Sequence, residues 1–329
     1  MPPHAPPEPV PVAAERTRLA PSPTGALHLG NARTFLVNWA LARRRGWAIT
    51  LRIEDLDTPR TKPGAAQDAI DTLRWLGLDW DDGPFDQTTD PTPYTDAMRT
   101  LAADAHAYPC ALTRAQIEDA ASAPHERADA DDPAREARFP PELRPALAPR
   151  AFDDPVTNWR FAAPDEEITF DDDFAGPQRR NVAQSVGDFV VWTKRGQPAY
   201  QLAVVVDDHR QGVTRVVRAD DLLDSAARQL LLYRALGLRP EPSYTHLPLV
   251  LGPDGRRLAK RHGDTRLSHY RDVGVGAERV IGLVAAWCGV CATPEPMHAD
   301  DFAAAFDLDT MPKGPITMRP EDEAWLLQR

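Results

Sequence analysis

An alternation of short apolar strands with amphipathic helices opens the chain, and it constrains the fold more than any other feature. Thr17 to Ala20 reads as a strand, and Pro21-Ser22-Pro23-Thr24-Gly25 as the turn that leaves it. A helix is predicted from about Asn31 to Arg45, because Ala32, Phe35, Leu36, Trp39 and Ala40 recur at helical spacing and Gly46 supplies a stop. Ala48 to Ile53 is the next strand, ending in Glu54-Asp55. Pro63 opens a second helix, with Ala66, Ile70, Leu73 and Leu76 on one face and Gly77 beyond its end. This order implies an α/β fold, a parallel sheet with crossover helices.

The rhythm breaks between Tyr108 and Arg180. An acidic, alanine-rich stretch from His125 to Arg138 lacks periodicity, and prolines dominate from Pro140 to Pro149, so the region reads as an insertion with a loose linker. The apolar run Gln201 to Val206 is predicted as a strand buried on both faces. Val213 to Val217 and His246 to Leu251 are further strands, Ser225 to Leu236 is an amphipathic helix, and Gly252-Pro253-Asp254-Gly255 is a turn. After Gly263 the chain is expected to be helical and polar. The expected units are a proline-rich disordered leader (1–15), two catalytic halves (16–107 and 196–262), an insertion subdomain (108–195) and a helical region (263–329).

Composition narrows the function classes. A chain of 329 residues with 42% hydrophobic content supports a sizeable core. No apolar run reaches the roughly 18 residues of a membrane span. The N-terminus lacks the basic and apolar regions of a signal peptide. The cysteines Cys110, Cys288 and Cys291 make no disulfide framework, which fits a reduced, cytoplasmic compartment. A net charge of -11 argues against nonspecific coating of nucleic acid, though local basic faces remain at Arg43-Arg44-Arg45, Arg179-Arg180, Lys194-Arg195 and Arg256 to Arg261.

The segment RLAPSPTGALHLGNART, Arg18 to Thr34, joins the first strand to the first helix. Its prolines stiffen the loop, Gly25 and Gly30 leave room for close approach, and His28 precedes a helix N-terminus, where amide donors and the helix dipole favour phosphate. Such a loop is also compatible with plain turn chemistry.

Within this segment, His28-Leu29-Gly30-Asn31 resembles the first signature of class I aminoacyl-tRNA synthetases, and RLAPSPTG resembles its glutamyl and glutaminyl branch. The second signature has a counterpart at Arg257-Leu258-Ala259-Lys260-Arg261. LRIEDLDTPR and AYQLAVVVDDHRQGVTRVVRADDLLDSAARQLLLY lie between them in the family's order. The resemblance covers about Thr17 to His262 and implies a Rossmann-like catalytic domain that activates glutamate with ATP and Mg²⁺. It implies that His28 and Lys260 are catalytic, and that His28, Gly30, Asn31, Leu258 and Lys260 bind ATP. Arg18, Ser22, Glu54, Tyr200 and Arg218 are implied to line the glutamate pocket, Glu54 taking the ammonium group and Arg218 the side-chain carboxylate. A plain Glu54–Arg218 salt bridge and a core role for Tyr200 are the structural alternatives.

The block QLAVVVDDHRQGVT, and the lack of a further anticodon-binding region in the sequence, resemble the branch that attaches glutamate to the queuosine base of tRNA(Asp). A monomer acting on glutamate and that tRNA is expected, with no membrane partner. A truncated glutamyl-tRNA synthetase and a non-catalytic paralogue that binds glutamate, ATP or tRNA stay open. Arg257 and Ala259 replace the second signature's usual lysine and serine, and Ala219 replaces a glycine. The insertion retains Cys110 but lacks the family's remaining cysteine ligands, with FPPELR, Phe139 to Arg144, in place of one pair. No zinc is expected there. Cys288-Gly289-Val290-Cys291 is expected to be a buried or incidental pair, and Gly274-Val275-Gly276 a decoy for a dinucleotide loop.

Overall fold

The computed structural model describes residues 15–121, 138–256, 258 and 264–328. The proline-rich leader, most of the acidic stretch and all of the second signature except Leu258 lie outside them. Glu15 already belongs to the folded body: its carbonyl accepts from Ala48 N–H at 3.0 Å, and its carboxylate accepts from Arg215 Nε–H at 2.8 Å.

The first half runs β1 (Arg16–Leu19), α1 (Leu29–Arg45), β2 (Ala48–Ile53), α2 (Ala65–Trp75), β3 (Asp82–Asp86) and α3 (Thr92–Ala103). β1, β2 and β3 form a parallel sheet in that order, as the strand–helix alternation predicts. Gly46 ends α1 with a φ of 69°, the left-handed cap that a residue without Cβ adopts at least cost.

The insertion holds β4 (Ala107–Pro109), α4 (Arg114–Ala121), β5 (Trp159–Phe161), the hairpin β6 (Glu167–Asp172) and β7 (Gly176–Asn181), α5 (Val182–Ser185), β8 (Phe189–Thr193) and β9 (Gln197–Pro198). β4, β5, β8 and β9 make an antiparallel sheet. The β6–β7 hairpin instead joins the sheet of the second half.

That half contains α6 (Tyr200–Arg210), β10 (Arg215–Ala219), α7 (Leu223–Ala235), β11 (Ser243–Leu247) and β12 (Val250–Leu251). β10, β11, β6 and β7 are neighbours in that order, with β11 parallel to both β10 and β6. β1 and β10 lie side by side, tied at their starts by Thr214 N–H to Arg16 carbonyl at 2.9 Å and Arg16 N–H to Thr214 Oγ at 3.1 Å. The two halves therefore meet where the connection reverses direction across the sheet, the usual place for a ligand crevice in an open α/β fold.

Three sequence expectations need correction. The run Gln201 to Val206 is helix α6, not a strand. All eight positions from Gln201 to Asp208 are buried, so the helix has no polar stripe and its run of apolar residues looks like a buried strand. The strand expected from His246 to Leu251 is two strands, because Pro248 has no N–H to continue the ladder. The C-terminal region, α8 (Leu267–Asp272), α9 (Ala277–Trp287), α10 (Ala299–Ala305), β13 (Ile316–Thr317) and α11 (Pro320–Leu327), is mainly helical but not polar. Val280, Ile281, Leu283 and Val284 of α9 enter the same core as Leu36, Val37 and Ala40 of α1. A second core joins α3, β5, β8, α6 and α7.

Candidate active site

β1 and β2 deliver the first residues of the site. Leaving β1, Pro21 accepts from Glu54 N–H at 3.0 Å, and the Ser22 hydroxyl donates to the Glu54 carbonyl at 3.1 Å. The loop is thereby laid across the end of β2. Ser22, Glu54 and Tyr200 line a cavity of about 410 Å³ together with Gln87, Arg60 and Arg195. Tyr200 is the first residue of α6 and is 40% exposed, so it is a wall of the cleft rather than a core aromatic.

Behind that wall lies a buried charge array. Arg18 is 5% exposed and its Nε stands 3.5 Å from Asp208 Oδ1. Arg52, fully buried, meets the same oxygen at 2.8 Å, Glu54 Oε1 at 3.2 Å and Gln211 Oε1 at 2.9 Å. Glu54 is thus paired with Arg52, not with Arg218. Burial raises the Glu54 carboxyl from its ordinary value, against the pull of Arg52 and Arg18. Arg18 Nη1 donates to Val217 carbonyl at 3.3 Å, while its Nε has no hydrogen-bond acceptor among the described residues. A buried guanidinium with a donor to spare suits an incoming carboxylate.

Arg218, at the end of β10, is 4% exposed. Its donors reach His246 Nε2 at 2.9 Å, Gln229 Oε1 at 2.9 Å and Leu222 carbonyl at 3.2 Å, and it lies over the Tyr244 ring at 5.2 Å. Burial raises the Tyr200 phenol above its ordinary value, with Arg218 and Arg18 pulling it down and Glu54 and Asp208 pushing it up.

The phosphate-side candidates assemble at the start of α1. His28 is its N-cap: Nδ1 accepts from Gly30 N–H at 3.1 Å, and Asn31 Oδ1 accepts from His28 N–H at 3.0 Å. A Cβ on Gly30 would stand 3.0 Å from His28 Cε1, so glycine here is what lets the ring fold back over the helix start. The same Cβ would lie 3.7 Å from Val250, whose carbonyl accepts from Leu258 N–H at 3.0 Å. Leu258 is buried, so the leucine of the second signature is pinned beside the first signature. Lys260 lies outside the described residues.

Among the described residues no group of three or more His, Cys, Asp or Glu side chains is placed to hold a metal, and no helix is long and apolar enough to cross a membrane. Cys288 is buried and Cys291 is partly buried. Cys110 is buried beside Tyr108 and Phe139, the first residue of FPPELR. The nearby polar centre is Asp188, which accepts from Tyr108 hydroxyl at 2.6 Å, Arg144 Nε–H at 2.8 Å and Ala163 N–H at 2.9 Å.

A family model described as the catalytic domain of class I tRNA synthetases for E and Q matches residues 15–319. The chain belongs to this family. As a class I synthetase it is a ligase of the aminoacyl-tRNA synthetase type, in a family whose chemistry uses ATP. It is 48% identical to the glutamyl-Q tRNA(Asp) synthetase of Symbiobacterium thermophilum, over 94% of this chain and 97% of that one. It is 49% identical to the protein of the same name from Rhodopirellula baltica, over 83% and 85%. The glutamate-tRNA synthetase of Elizabethkingia anophelis has a similar structure, with a TM-score of 0.77 at 27% identity, covering 95% of this chain and 70% of that one.

Several residues around the candidate site escaped the sequence reading. Arg52 had a signal, since an arginine inside the apolar strand AITLRI must be paired when buried. Asp208 had a fainter one, two acids closing an apolar run. His246, Gln229 and Asp172 had none, because their roles depend on strand pairing.

Proposed function

We propose that this chain condenses glutamate with ATP to glutamyl-adenylate without tRNA, and then transfers the glutamyl group to the queuosine base of tRNA(Asp). The first reading is supported above all by one observation: Ser22, Glu54 and Tyr200 line one cleft, Glu54 shares a buried charge array with Arg52, Asp208 and Arg18, and Arg18 reaches the carbonyl of Val217, next to Arg218. Two buried cations and a carboxylate complement an amino acid with two carboxylates and one ammonium.

In this reading Glu54 takes the ammonium, Arg218 the side-chain carboxylate, and Arg18, Ser22 and Tyr200 complete the pocket. The α-carboxylate arrives ionised, so no general base is required. One of its oxygens bonds to the α-phosphorus as the bond to the bridging oxygen breaks, and pyrophosphate leaves with that electron pair. His28, Gly30 and Asn31 at the start of α1, with Leu258, cradle the nucleotide. Lys260 neutralises the developing charge, and Mg²⁺ rides on the phosphates. The acceptor is proposed from the two named relatives, each matched over most of its length.

Glutamate-dependent exchange between ATP and pyrophosphate, measured without tRNA, tests activation. Transfer of labelled glutamate to queuosine-containing tRNA(Asp), compared with tRNA(Glu), tests the acceptor; charging of tRNA(Glu) alone would overturn it.

A further inference from the structure

Arg218 is held by three acceptors, and one of them belongs to a hydrogen-bond chain that crosses three adjacent strands. In the register of β10 and β11, Arg218 is the partner of His246; in that of β11 and β6, Tyr244 is the partner of Asp172. His246 Nδ1 lies 2.6 Å from Asp172 Oδ2, and His246 Nε2 lies 2.9 Å from Arg218 Nε. A guanidinium only donates, so Nε2 must carry the lone pair and Nδ1 the proton. The imidazole is therefore neutral, donating to Asp172 and accepting from Arg218. Asp172 is itself fixed, accepting from the backbone N–H of Phe174 at 3.0 Å, Ala175 at 2.7 Å and His246 at 3.1 Å.

A guanidinium has five N–H donors. His246 takes the Nε–H, Gln229 one on Nη1, and the Leu222 carbonyl one on Nη2. Among the described residues two donors are left without an acceptor, one on each Nη. The Nε edge, the other bidentate face of an arginine, is closed. The chemistry of the acceptor also matters. A carboxylate placed directly on Arg218 would neutralise it and compete with a substrate carboxylate, whereas a neutral imidazole fixes the group and leaves its charge undiminished.

We propose that Asp172 and His246, with Gln229, are positioning residues that present Arg218 end-on, through its two Nη atoms alone, to the side-chain carboxylate of the amino-acid substrate. This rests on the glutamate-activating reading above. It makes the pocket selective against glutamine, whose amide NH₂ would face a donor with no acceptor to offer.

The test uses two substitutions that separate the ends of the ring. Asparagine spans only as far as Nδ1, so His246→Asn keeps a donor for Asp172 and loses the acceptor for Arg218. Glutamine reaches the Nε2 position, so His246→Gln restores that acceptor. In pyrophosphate exchange, His246→Asn is expected to raise the KM for glutamate about tenfold or more, and His246→Gln about threefold or less, with the KM for ATP unmoved in both. Gln229→Glu, which sets a carboxylate against Nη1 from a different element, should raise the glutamate KM in the same way. Equal glutamate KM values for the Asn and Gln forms, or losses shared by glutamate and ATP, would overturn the proposal. If the unaltered protein showed no exchange, the activation reading would fall by itself. Calorimetric glutamate affinities of the same variants would then decide the positioning role separately.

Discussion

Arg52 and Asp208, both buried, meet at 2.8 Å, and Arg18 approaches the same carboxylate at 3.5 Å. One buried acid thus serves two buried cations, one at the end of β1 and one in β2. The end of α6 is thereby fixed to the sheet directly behind the proposed glutamate pocket. Removing the shared acid leaves both charges without their closest counter-ion. Asp208→Ala is expected to cost about 3–5 kcal/mol in urea unfolding, well beyond the cost of deleting an exposed ion pair.

Stability should also fall at mildly acid pH because of His246. Burial lowers its pKa below the ordinary 6.5; Asp172 opposes this and Arg218 adds to it. The folded state therefore keeps the ring neutral, while the unfolded chain takes up a proton. The contribution is fully present above about pH 6.5 and is lost as pH falls from there through the folded value, at no more than about 1.4 kcal/mol per unit. Asp172 is also held below its ordinary value of 3.8, burial being outweighed by hydrogen bonds from His246 and Ala175, so its own loss begins at lower pH. Melting temperatures measured from pH 8 to pH 5 should decline more steeply for the unaltered protein than for His246→Gln.

In the insertion, Asp188 gathers Tyr108, Arg144 and the backbone of Ala163. Asp188→Ala should cost about 2–4 kcal/mol and raise amide exchange first around β4 and just after β5, where this carboxylate ties Tyr108 to Ala163. A strong zinc chelator should leave the melting temperature of the unaltered protein unchanged. A chelator-induced drop would mean that a metal, and not this carboxylate, organises the region.

Gly30→Ala should act through His28. The added Cβ at 3.0 Å from the ring requires the imidazole to shift by a few tenths of an ångström and weakens its cap on α1. About 1 kcal/mol of stability should be lost, and exchange activity should fall about tenfold or more because the start of α1 is displaced. Wild-type exchange in this variant would show that the folded-back ring is dispensable.

The first catalytic half was readable because its signals are local: helical spacing in α1, the stop at Gly46, and a loop with a glycine where the His28 ring must fold. Tyr200 lines a cavity but opens a helix where a strand was expected to follow it, since a helix buried on every side carries no periodic stripe. Arg218 was visible as a candidate, but the residues that aim it were not. His246 lies 28 positions away from it and Asp172 lies 74 away from His246. No spacing rule joins them; only the lateral order of β10, β11 and β6 does. The C-terminal helices were misread as polar because acidic residues open α10 and α11, although α9 is apolar over most of its length.

Those helices have a consequence for what counts as the folding unit. Arg33, just past the first turn of the first helix, is buried, donates to the Pro248 carbonyl and contacts Met311 Sδ at 3.6 Å. α9 and α10 cover the same helix with Val280, Leu283, Val284 and Phe302. The polypeptide that carries both signatures is therefore shorter than the smallest piece able to fold around them. A chain ended just after the second signature would bare one side of that helix, take Met311 away from the buried guanidinium and remove nearly half of the larger core. Nucleotide chemistry and the C-terminal helices are separate in sequence but inseparable as a cooperative block.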